Sequence, residues 1–226
     1  MKAPLPMPTT VTYFFDPLCG WCYAAAPALT KLQATPGVHL VMAPTGLFAG
    51  AGARPLDAEL AADAWSNDQR IQQLTGQPFS DRYRNNILGQ QGARFDSGPA
   101  MLALTAVAQT EPAQELAALH AFQHARYEDG RDTTALPLLA DVLATLALHA
   151  AAARVREPDD ALRAAMWERV AAARSHRQAL GAHGVPQLAV HGMDAGRPRL
   201  LGSGTLLGPW DALLAQVLAP PQAAER

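Results

Sequence analysis

The sequence predicts an α/β protein in which a mixed β-sheet flanked by helices is interrupted by an inserted helical block. The chain opens with a strand, turn, helix and strand, and it closes with two strands and a helix. Between them, alanine, leucine, arginine and glutamate dominate with the spacing of helices. The predicted parts are residues 10–55, 56–183 and 184–219, of which the first and third make one α/β unit.

The opening part has the pattern of a βαβ unit. Val11–Phe15 is a β-branched and aromatic run that ends at an Asp-Pro turn, which predicts a buried strand. The alanine-rich segment Gly20–Ala34 predicts a helix with a kink at Pro27. Val38–Ala43 predicts the second strand. The segment just after Phe15 therefore lies at a strand-to-helix junction.

The middle block ends in its clearest predicted helix. Pro158 suits the first turn, and the apolar residues from Leu162 to Val170 share one face. A glycine, Gly181 or Gly184, ends the helix. We therefore expect the helical block to extend to about residue 183.

The closing part predicts two short strands and a helix. Gln187–His191 and Arg199–Leu201 are the strands, with a turn at Asp194–Gly196, and Leu206–Leu218 is the helix. Together with the opening βαβ unit, this ββα ending is the thioredoxin arrangement. The tail beyond Ala219 is predicted to be loose.

The chain has two cysteines, Cys19 and Cys22, at the strand-to-helix junction. One closely spaced pair cannot form a disulfide framework for a chain of this length. In disulfide exchange the thiolate attacks, and the free N–H groups at a helix start stabilise it. The pattern predicts a redox-active disulfide in which Cys19 is the nucleophile. Cys22, one turn later and less exposed, resolves the mixed disulfide.

The residues between and before the cysteines have predicted supporting roles. Gly20 and Trp21 separate the thiols and neither is a cation, so we expect an intermediate reduction potential. Trp21 either faces the substrate or packs on the helical block. Asp16 is the nearest carboxylate, and it either accepts a proton from Cys22 or caps the turn.

The segment Phe14–Tyr23 (FFDPLCGWCY) resembles the active-site segment of DsbA-like proteins, especially their FrnE-like branch of predicted protein-disulfide isomerases. The likeness extends through Asp96–Ala100, Arg126–Asp132 and Gly184–Gln187. It implies a thioredoxin fold with an inserted helical domain, and oxidoreductase activity on protein or peptide thiols and disulfides. In that family the helical block covers the dithiol, so substrate choice is expected to lie in residues 56–183. The glycine-rich composition of Thr45–Gly52 indicates either a segment that lines the same opening or a flexible connection to the helical block.

The resemblance also bears on the loop that contains Pro186 and on the reduction potential of the dithiol. The family's proline that matches Pro186 is cis and faces the thiols, so the same is expected here, with the backbone of Val185 offered to an extended substrate. A trans proline that starts an edge strand is the alternative. The family often has proline at the position of Gly20, and DsbA has histidine at that of Trp21. Both departures argue against a strongly oxidising potential.

Alternative functions follow from the same residues. Cys-x-x-Cys is also a zinc-ligand spacing, and His120 and His124 have helical i, i+4 spacing about 100 residues away. Another interpretation is that both cysteines are simply small, buried hydrophobic residues without a chemical role. The glutathione-dependent hydroxychromene-carboxylate isomerases and kappa transferases, which act on small molecules, resemble the same fold, with serine at the position of Cys19. A holdase that uses the cysteines as a redox trigger is a third class.

Charge and hydropathy exclude some partners. The formal net charge is -2 with no long run of one sign, so neither nucleic acid nor a membrane surface is a predicted partner. No segment is apolar enough to cross a bilayer, and Met1–Thr10 lacks a signal-peptide core, which predicts a cytoplasmic protein. An exported chain without its leader is the alternative. Metal and cofactors are not predicted, glutathione is the candidate co-substrate, and the oligomeric state is open.

Overall fold

The computed structural model describes residues 9–192 and 198–219. The opening part holds β1 (Thr9–Phe15), α1 (Gly20–Ala24), α2 (Ala26–Gln33) and β2 (Val38–Pro44). The helical block holds β3 (Arg54–Pro55), α3 (Ala58–Thr75), α4 (Asp81–Tyr83), β4 (Arg94–Phe95), α5 (Gly98–Thr110), α6 (Glu115–Tyr127), α7 (Leu136–Thr145), α8 (His149–Arg156) and α9 (Asp160–Ala179). The closing part holds β5 (Gln187–His191), β6 (Arg199–Leu201), α10 (Ser203–Leu206) and α11 (Trp210–Leu218). The predicted turn at Asp194–Gly196 and the tail beyond Ala219 lie outside the described residues.

The main sheet has four strands in the order β2-β1-β5-β6. β1 pairs with β2 in parallel and with β5 antiparallel, and β5 pairs with β6 antiparallel. This mixed sheet flanked by helices confirms the predicted fold class. β1 is the central strand, and its residues from Val11 to Phe15 are all buried, as expected for an apolar run between two neighbours.

The helical block is built around α5. Eight successive residues of this helix, Ala100–Val107, are buried, and α6, α7, α8 and α9 all pack against it. α9 also packs on β2, and the buried side chains of the block and the sheet form one continuous cluster. The division at residues 56 and 183 therefore stays a prediction. Two short strands accompany the helices of the block, because Phe95 of β4 pairs with Arg54 of β3.

The first predicted helix is divided in two. The segment Gly20–Ala34 forms α1 and α2, and the break is at Ala25 rather than at Pro27. Pro27 lies in the first turn of α2, where a missing N–H removes no helical hydrogen bond. Cys22 therefore lies on a helix of five residues, and Cys19 immediately precedes that helix.

Two further helix boundaries differ from the prediction. Pro158 precedes α9 rather than lying in its first turn, and the side chain of Asp159 caps the helix by accepting a hydrogen bond from Leu162 N at 2.7 Å. The predicted helix Leu206–Leu218 is instead α10 and α11, separated around Pro209. Proline disfavours a helical conformation at the residue before it, which explains the interruption.

The strand register brings the cysteines and the proline loop together. Phe14 near the end of β1 is opposite Gln187 at the start of β5. Because these strands are antiparallel, the residues that follow β1 lie beside the residues that precede β5. Cys19 and Val185 thus meet beyond the paired ends of β1 and β5, although 166 residues separate them in the sequence.

Candidate active site

A hydrogen-bonded turn holds the first cysteine at the start of α1. Cys19 N donates to Asp16 O at 3.1 Å, and Leu18 N donates to the Asp16 carboxylate at 2.9 Å. Cys19 is the N-cap residue with an extended backbone, and Cys22 N donates to Cys19 O at 2.9 Å. The turn fixes the strand-to-helix junction that the sequence predicts.

The two thiols differ in access to solvent. Cys19 is 7% exposed and Cys22 is fully buried. The Cys19 thiol donates to Val185 O across 3.8 Å. Burial raises the pKa of Cys22 well above its ordinary value, and the adjacent Cys19 raises it further, whereas a backbone hydrogen bond from Asp16 lowers it. At neutral pH, Cys22 is therefore a thiol.

Asp16 is fully buried and accepts three hydrogen bonds. One oxygen accepts from Leu18 N, and the other accepts from Phe48 N at 3.1 Å and from Ser97 Oγ at 2.8 Å. Burial raises the pKa of Asp16, while these donors lower it. The hydrogen bond from Leu18 N to the Asp16 carboxylate is the one expected of a residue that caps the turn. Proton transfer from Cys22 to Asp16 stays a prediction.

Two buried tyrosines hold the backbone around the dithiol. Tyr127 on α6 donates its hydroxyl to Leu18 O at 2.7 Å, and Tyr13 on β1 donates to Cys22 O at 3.3 Å. Tyr127 also stacks on Tyr23, with ring centroids 4.9 Å apart. The helical block thus contacts the catalytic turn directly.

A buried acid lies against the residue between the cysteines. Asp68 on α3 is 4% exposed and accepts a hydrogen bond from Tyr83 Oη at 3.0 Å. Its other oxygen is so near Gly20 that a Cβ atom there would collide with it. Burial raises the pKa of Asp68 to about 7, although Tyr83 and the buried Arg126 lower it. This contact explains why the chain has glycine at position 20.

Cys19 lies in the wall of an open cavity of about 340 Å³. Its other walls come from α3, from the loop after β2 and from the proline loop. Trp21 is half-buried and donates Nε1 to Asn67 Oδ1 at 3.3 Å, so it packs on the helical block. Phe48 shows that the glycine-rich stretch does line this opening. Its lining residues include Cys19, Trp21, Leu47, Arg54, Asp63, Asp68 and Val185.

The structure places the predicted site residues together, and it adds others. The Val185–Pro186 peptide is cis, as the resemblance implied. Sequence reasoning missed Asp68 and Tyr83, because nothing in α3 or α4 marks them as different from other helical polar residues. It also assigned no role to Ser97 and Tyr127, although both lie in segments that carry the family resemblance. Of the predicted residues, Cys19, Gly20, Trp21 and Val185 line the cavity, whereas Asp16 and Cys22 are fully buried and Pro186 follows Val185 in the cis peptide.

The zinc alternative finds no support in the described residues. Within 9–192 and 198–219, no three side chains of His, Cys, Asp or Glu form a group that could hold a metal ion. His124 pairs with Glu128 and Asp129 at 3.5 and 3.4 Å. Burial lowers the pKa of His120 to about 4.

The comparison with protein families decides the class. The sequence profile of the DSBA-like thioredoxin domain matches residues 10–206. The chain belongs to this family. As a DSBA-like protein it is a thiol–disulfide oxidoreductase, which confirms the function predicted from the cysteine motif and the resemblance. No curated protein sequence matches the chain.

Solved structures agree with the DSBA-like assignment. The cytosolic disulfide reductase DsbM from Pseudomonas aeruginosa is 32% identical, with a TM-score of 0.77 over 92% of this chain and 98% of that one. A second structure of that reductase, with GSH, gives a TM-score of 0.76. A suggested protein disulfide isomerase from Nitrosomonas europaea is 25% identical, with a TM-score of 0.73 over 93% and 96% of the two chains. None of the helices described in this DSBA-like chain is long and apolar enough to cross a membrane.

Proposed function

We propose that this chain is a cytoplasmic disulfide reductase that acts on protein or peptide disulfides through Cys19 and Cys22, with glutathione as its source of electrons. The supporting observation is the unequal access of the two thiols. Cys19 forms part of the cavity wall, whereas Cys22 is fully buried behind it. A disulfide in the cavity therefore meets Cys19 first.

The reaction proceeds by two exchanges. The Cys19 thiolate attacks one sulfur of the substrate disulfide, the substrate S–S bond breaks, and the first substrate thiol leaves after taking up a proton. Cys22 then gives up its proton and attacks the Cys19 sulfur. This step forms the Cys19–Cys22 disulfide and releases the second substrate thiol. Two electrons and two protons have passed from the dithiol to the substrate.

The pKa of Cys22 is consistent with a reaction in which Cys19 attacks first and Cys22 attacks second. The hydrogen bond and the charge of Cys19 both raise the pKa of Cys22. When Cys19 is engaged in a mixed disulfide, it carries no negative charge, so this part of the effect disappears. The Cys22 thiolate then forms more readily than in the free dithiol, at the stage at which it must attack.

Glutathione restores the dithiol by the same two exchanges in reverse, since two glutathione thiols supply two electrons and leave as glutathione disulfide. The DsbM structure with GSH supports this choice of thiol. The cavity of about 340 Å³ also lies within the size range of small-molecule sites, about 300–1,000 Å³. DsbM is described as cytosolic, which supports the same compartment here.

Val185 is the proposed backbone partner of the substrate. Its carbonyl faces the Cys19 thiol at 3.8 Å. Within the part of the chain that the structure describes, its N–H has no hydrogen-bond acceptor. An extended peptide can pair with such an unpaired backbone edge. Pro186, Gly20 and Trp21 complete the proposed binding surface next to it, and Asp16 supports the turn.

Trapping the mixed disulfide tests the proposal. Cys22→Ser is incubated with glutathione disulfide, and mass spectrometry is expected to show one glutathionyl group on Cys19. Cys19→Ser, the matched control, is expected to gain none over the same time, because Cys22 is buried. Both variants are expected to lose glutathione-dependent insulin reduction. Modification of Cys22 at a similar rate, or insulin reduction by Cys19→Ser, would contradict the proposed roles.

A further inference from the structure

A second cavity, of about 210 Å³, adjoins the Cys19 cavity. Val185 and Leu47 line both cavities and form the wall between them. A substrate chain paired with Val185 can therefore place its reacting sulfur in the Cys19 cavity and a neighbouring group of the same substrate in the second cavity. The remaining lining residues of this second cavity, the arginine cavity, are Thr45, Arg174, Arg177 and Gly184.

The arginine cavity is positively charged. Arg174 and Arg177 come from the end of α9, and no aspartate or glutamate is among its described lining residues. Neither arginine forms an ion pair with any carboxylate in residues 9–192 and 198–219. The two guanidinium charges are therefore not neutralised by the part of the protein that the structure describes.

The two arginines differ in their remaining hydrogen-bonding capacity. Arg174 donates Nε to Thr45 O at 2.7 Å and Nη2 to Gly46 O at 2.6 Å, so it holds the loop after β2. Arg177 is half-buried and makes one long bond, from Nη1 to Ala182 O at 3.4 Å. Its Nε is buried without an acceptor. Its Nη2 is not buried and makes no hydrogen bond within the described residues, so an acceptor group placed in the cavity can bond to it.

We propose that the arginine cavity binds a carboxylate of the disulfide substrate, on a group adjacent to the reacting cysteine. A carboxylate matches the planar guanidinium and neutralises its charge. The inference rests on the proposed function and deepens it, since it names disulfides of anionic thiols as the preferred substrate class. Arg177 contacts the carboxylate, and Arg174 positions the wall of the cavity.

Three small disulfides that differ in charge test the proposal. They are dithiodipropionate with two carboxylates, hydroxyethyl disulfide without charge, and cystamine with two ammonium groups. Stopped-flow tryptophan fluorescence, in which Trp21 lies between the two cysteines, reports oxidation of the reduced protein. Each rate constant is divided by that of free dithiothreitol with the same disulfide, which corrects for intrinsic reactivity. We expect the corrected rate to fall from the anionic to the neutral to the cationic disulfide.

Substitution of Arg177 is the decisive arm. Arg177→Met is expected to reduce the preference for the anionic over the neutral disulfide by about threefold to tenfold, the range of a partly exposed charged hydrogen bond. The rate with the neutral disulfide should not change, and Arg177→Lys should retain part of the preference. Arg163→Met is the matched control, because Arg163 is an exposed arginine on the same helix. Added salt should weaken the preference of the native protein.

The outcomes separate this inference from the proposed function. If none of the three disulfides oxidises the protein, the proposed function fails. If all three react without a charge preference, or if Arg163→Met has the same effect as Arg177→Met, the carboxylate site is refuted and the function stands. Two further substrates identify the source of the carboxylate: glutathione disulfide and a peptide disulfide with glutamate beside each cysteine. Arg177→Met slows the one whose carboxylate occupies the cavity.

Discussion

The catalytic turn and the wall that faces it are built in different ways. The turn, Asp16–Cys22, is seven consecutive residues with three hydrogen bonds of its own, from Leu18 N and Cys19 N to Asp16 and from Cys22 N to Cys19 O. The wall comes from the helical block, where Asp68, Tyr83 and Tyr127 lie on three separate helices. Part of the turn's structure is thus fixed by its own residues, whereas the wall exists only when those helices pack against it.

The two regions therefore have different roles: the turn carries the reactive groups, and the wall provides their surroundings. The turn supplies the two sulfurs and their unequal exposure. The wall supplies a buried acid beside Gly20 and a hydroxyl bonded to Leu18 O. Substitutions in each region therefore test different things: those in the turn test what holds the thiols, and those in the wall test how strongly the block is coupled to them.

The largest effect is expected for Asp16→Ala in the turn. It leaves two backbone N–H groups and the Ser97 hydroxyl without their acceptor in a fully buried site. At about 1–3 kcal/mol for each unsatisfied buried group, we expect a loss of unfolding free energy on the order of 3–5 kcal/mol, measured by urea denaturation. Asp57→Ala is the control, because Asp57 caps the exposed start of α3 and should cost about 1 kcal/mol. Equal losses would show that the Asp16 bonds do not hold the turn.

The next largest effect is a pH-dependent one in the wall. Burial raises the pKa of Asp68 from 3.8 to about 7. The unfolded chain therefore releases this proton at lower pH than the folded chain, and stability is lost as the pH rises from about 4 to about 7. Asp68→Asn removes this loss and still offers an oxygen to Tyr83.

The comparison of Asp68→Asn with the native protein measures this effect. At about 1.4 kcal/mol per pKa unit, the variant should gain up to about 4 kcal/mol relative to the native protein between those two pH values. Asp63→Asn controls for the loss of one charge, because Asp63 is an exposed residue of the same helix. A difference that does not vary with pH would refute the assignment.

How much of each region could be predicted from the sequence depends on whether its features come from neighbouring residues or from the packing of distant helices. The strand before the turn, the Cys-x-x-Cys spacing and the short β5 could be predicted because each depends on neighbouring residues and on a simple apolar pattern. The assignment of Cys19 as the more exposed of the two thiols has the same origin. Asp68 could not be predicted, because a single aspartate on a polar helix is indistinguishable from a solvated one until the helix is packed. The break at Ala25 was missed because Pro27 suits a first turn as well as a kink.

A third effect concerns the contact between the turn and the wall. Gly20→Ala places a Cβ against the Asp68 carboxylate and 3.0 Å from Ile71 Cδ1. We expect a loss of about 1–3 kcal/mol, the usual cost of overpacking. Gly204→Ala is the control, since a Cβ there meets open space in the short helix α10. The double variant Gly20→Ala/Asp68→Ala should recover part of the loss of Gly20→Ala. If the two losses are simply additive, the contact does not couple the regions.

The smallest effect is expected for Tyr127→Phe, which removes the hydroxyl that links the block to Leu18 O. Tyr127 is 1% exposed, so water cannot easily replace the lost donor, and we expect a cost of about 1–2 kcal/mol. Tyr23→Phe is the matched comparison, since its hydroxyl donates at the same 2.7 Å to Glu128, whose side chain is 32% exposed. Water can solvate that carboxylate, so this second loss should be smaller. Chemical denaturation of both variants measures the difference, and a larger loss for Tyr23→Phe would mean that the block is not anchored to the catalytic turn through Tyr127.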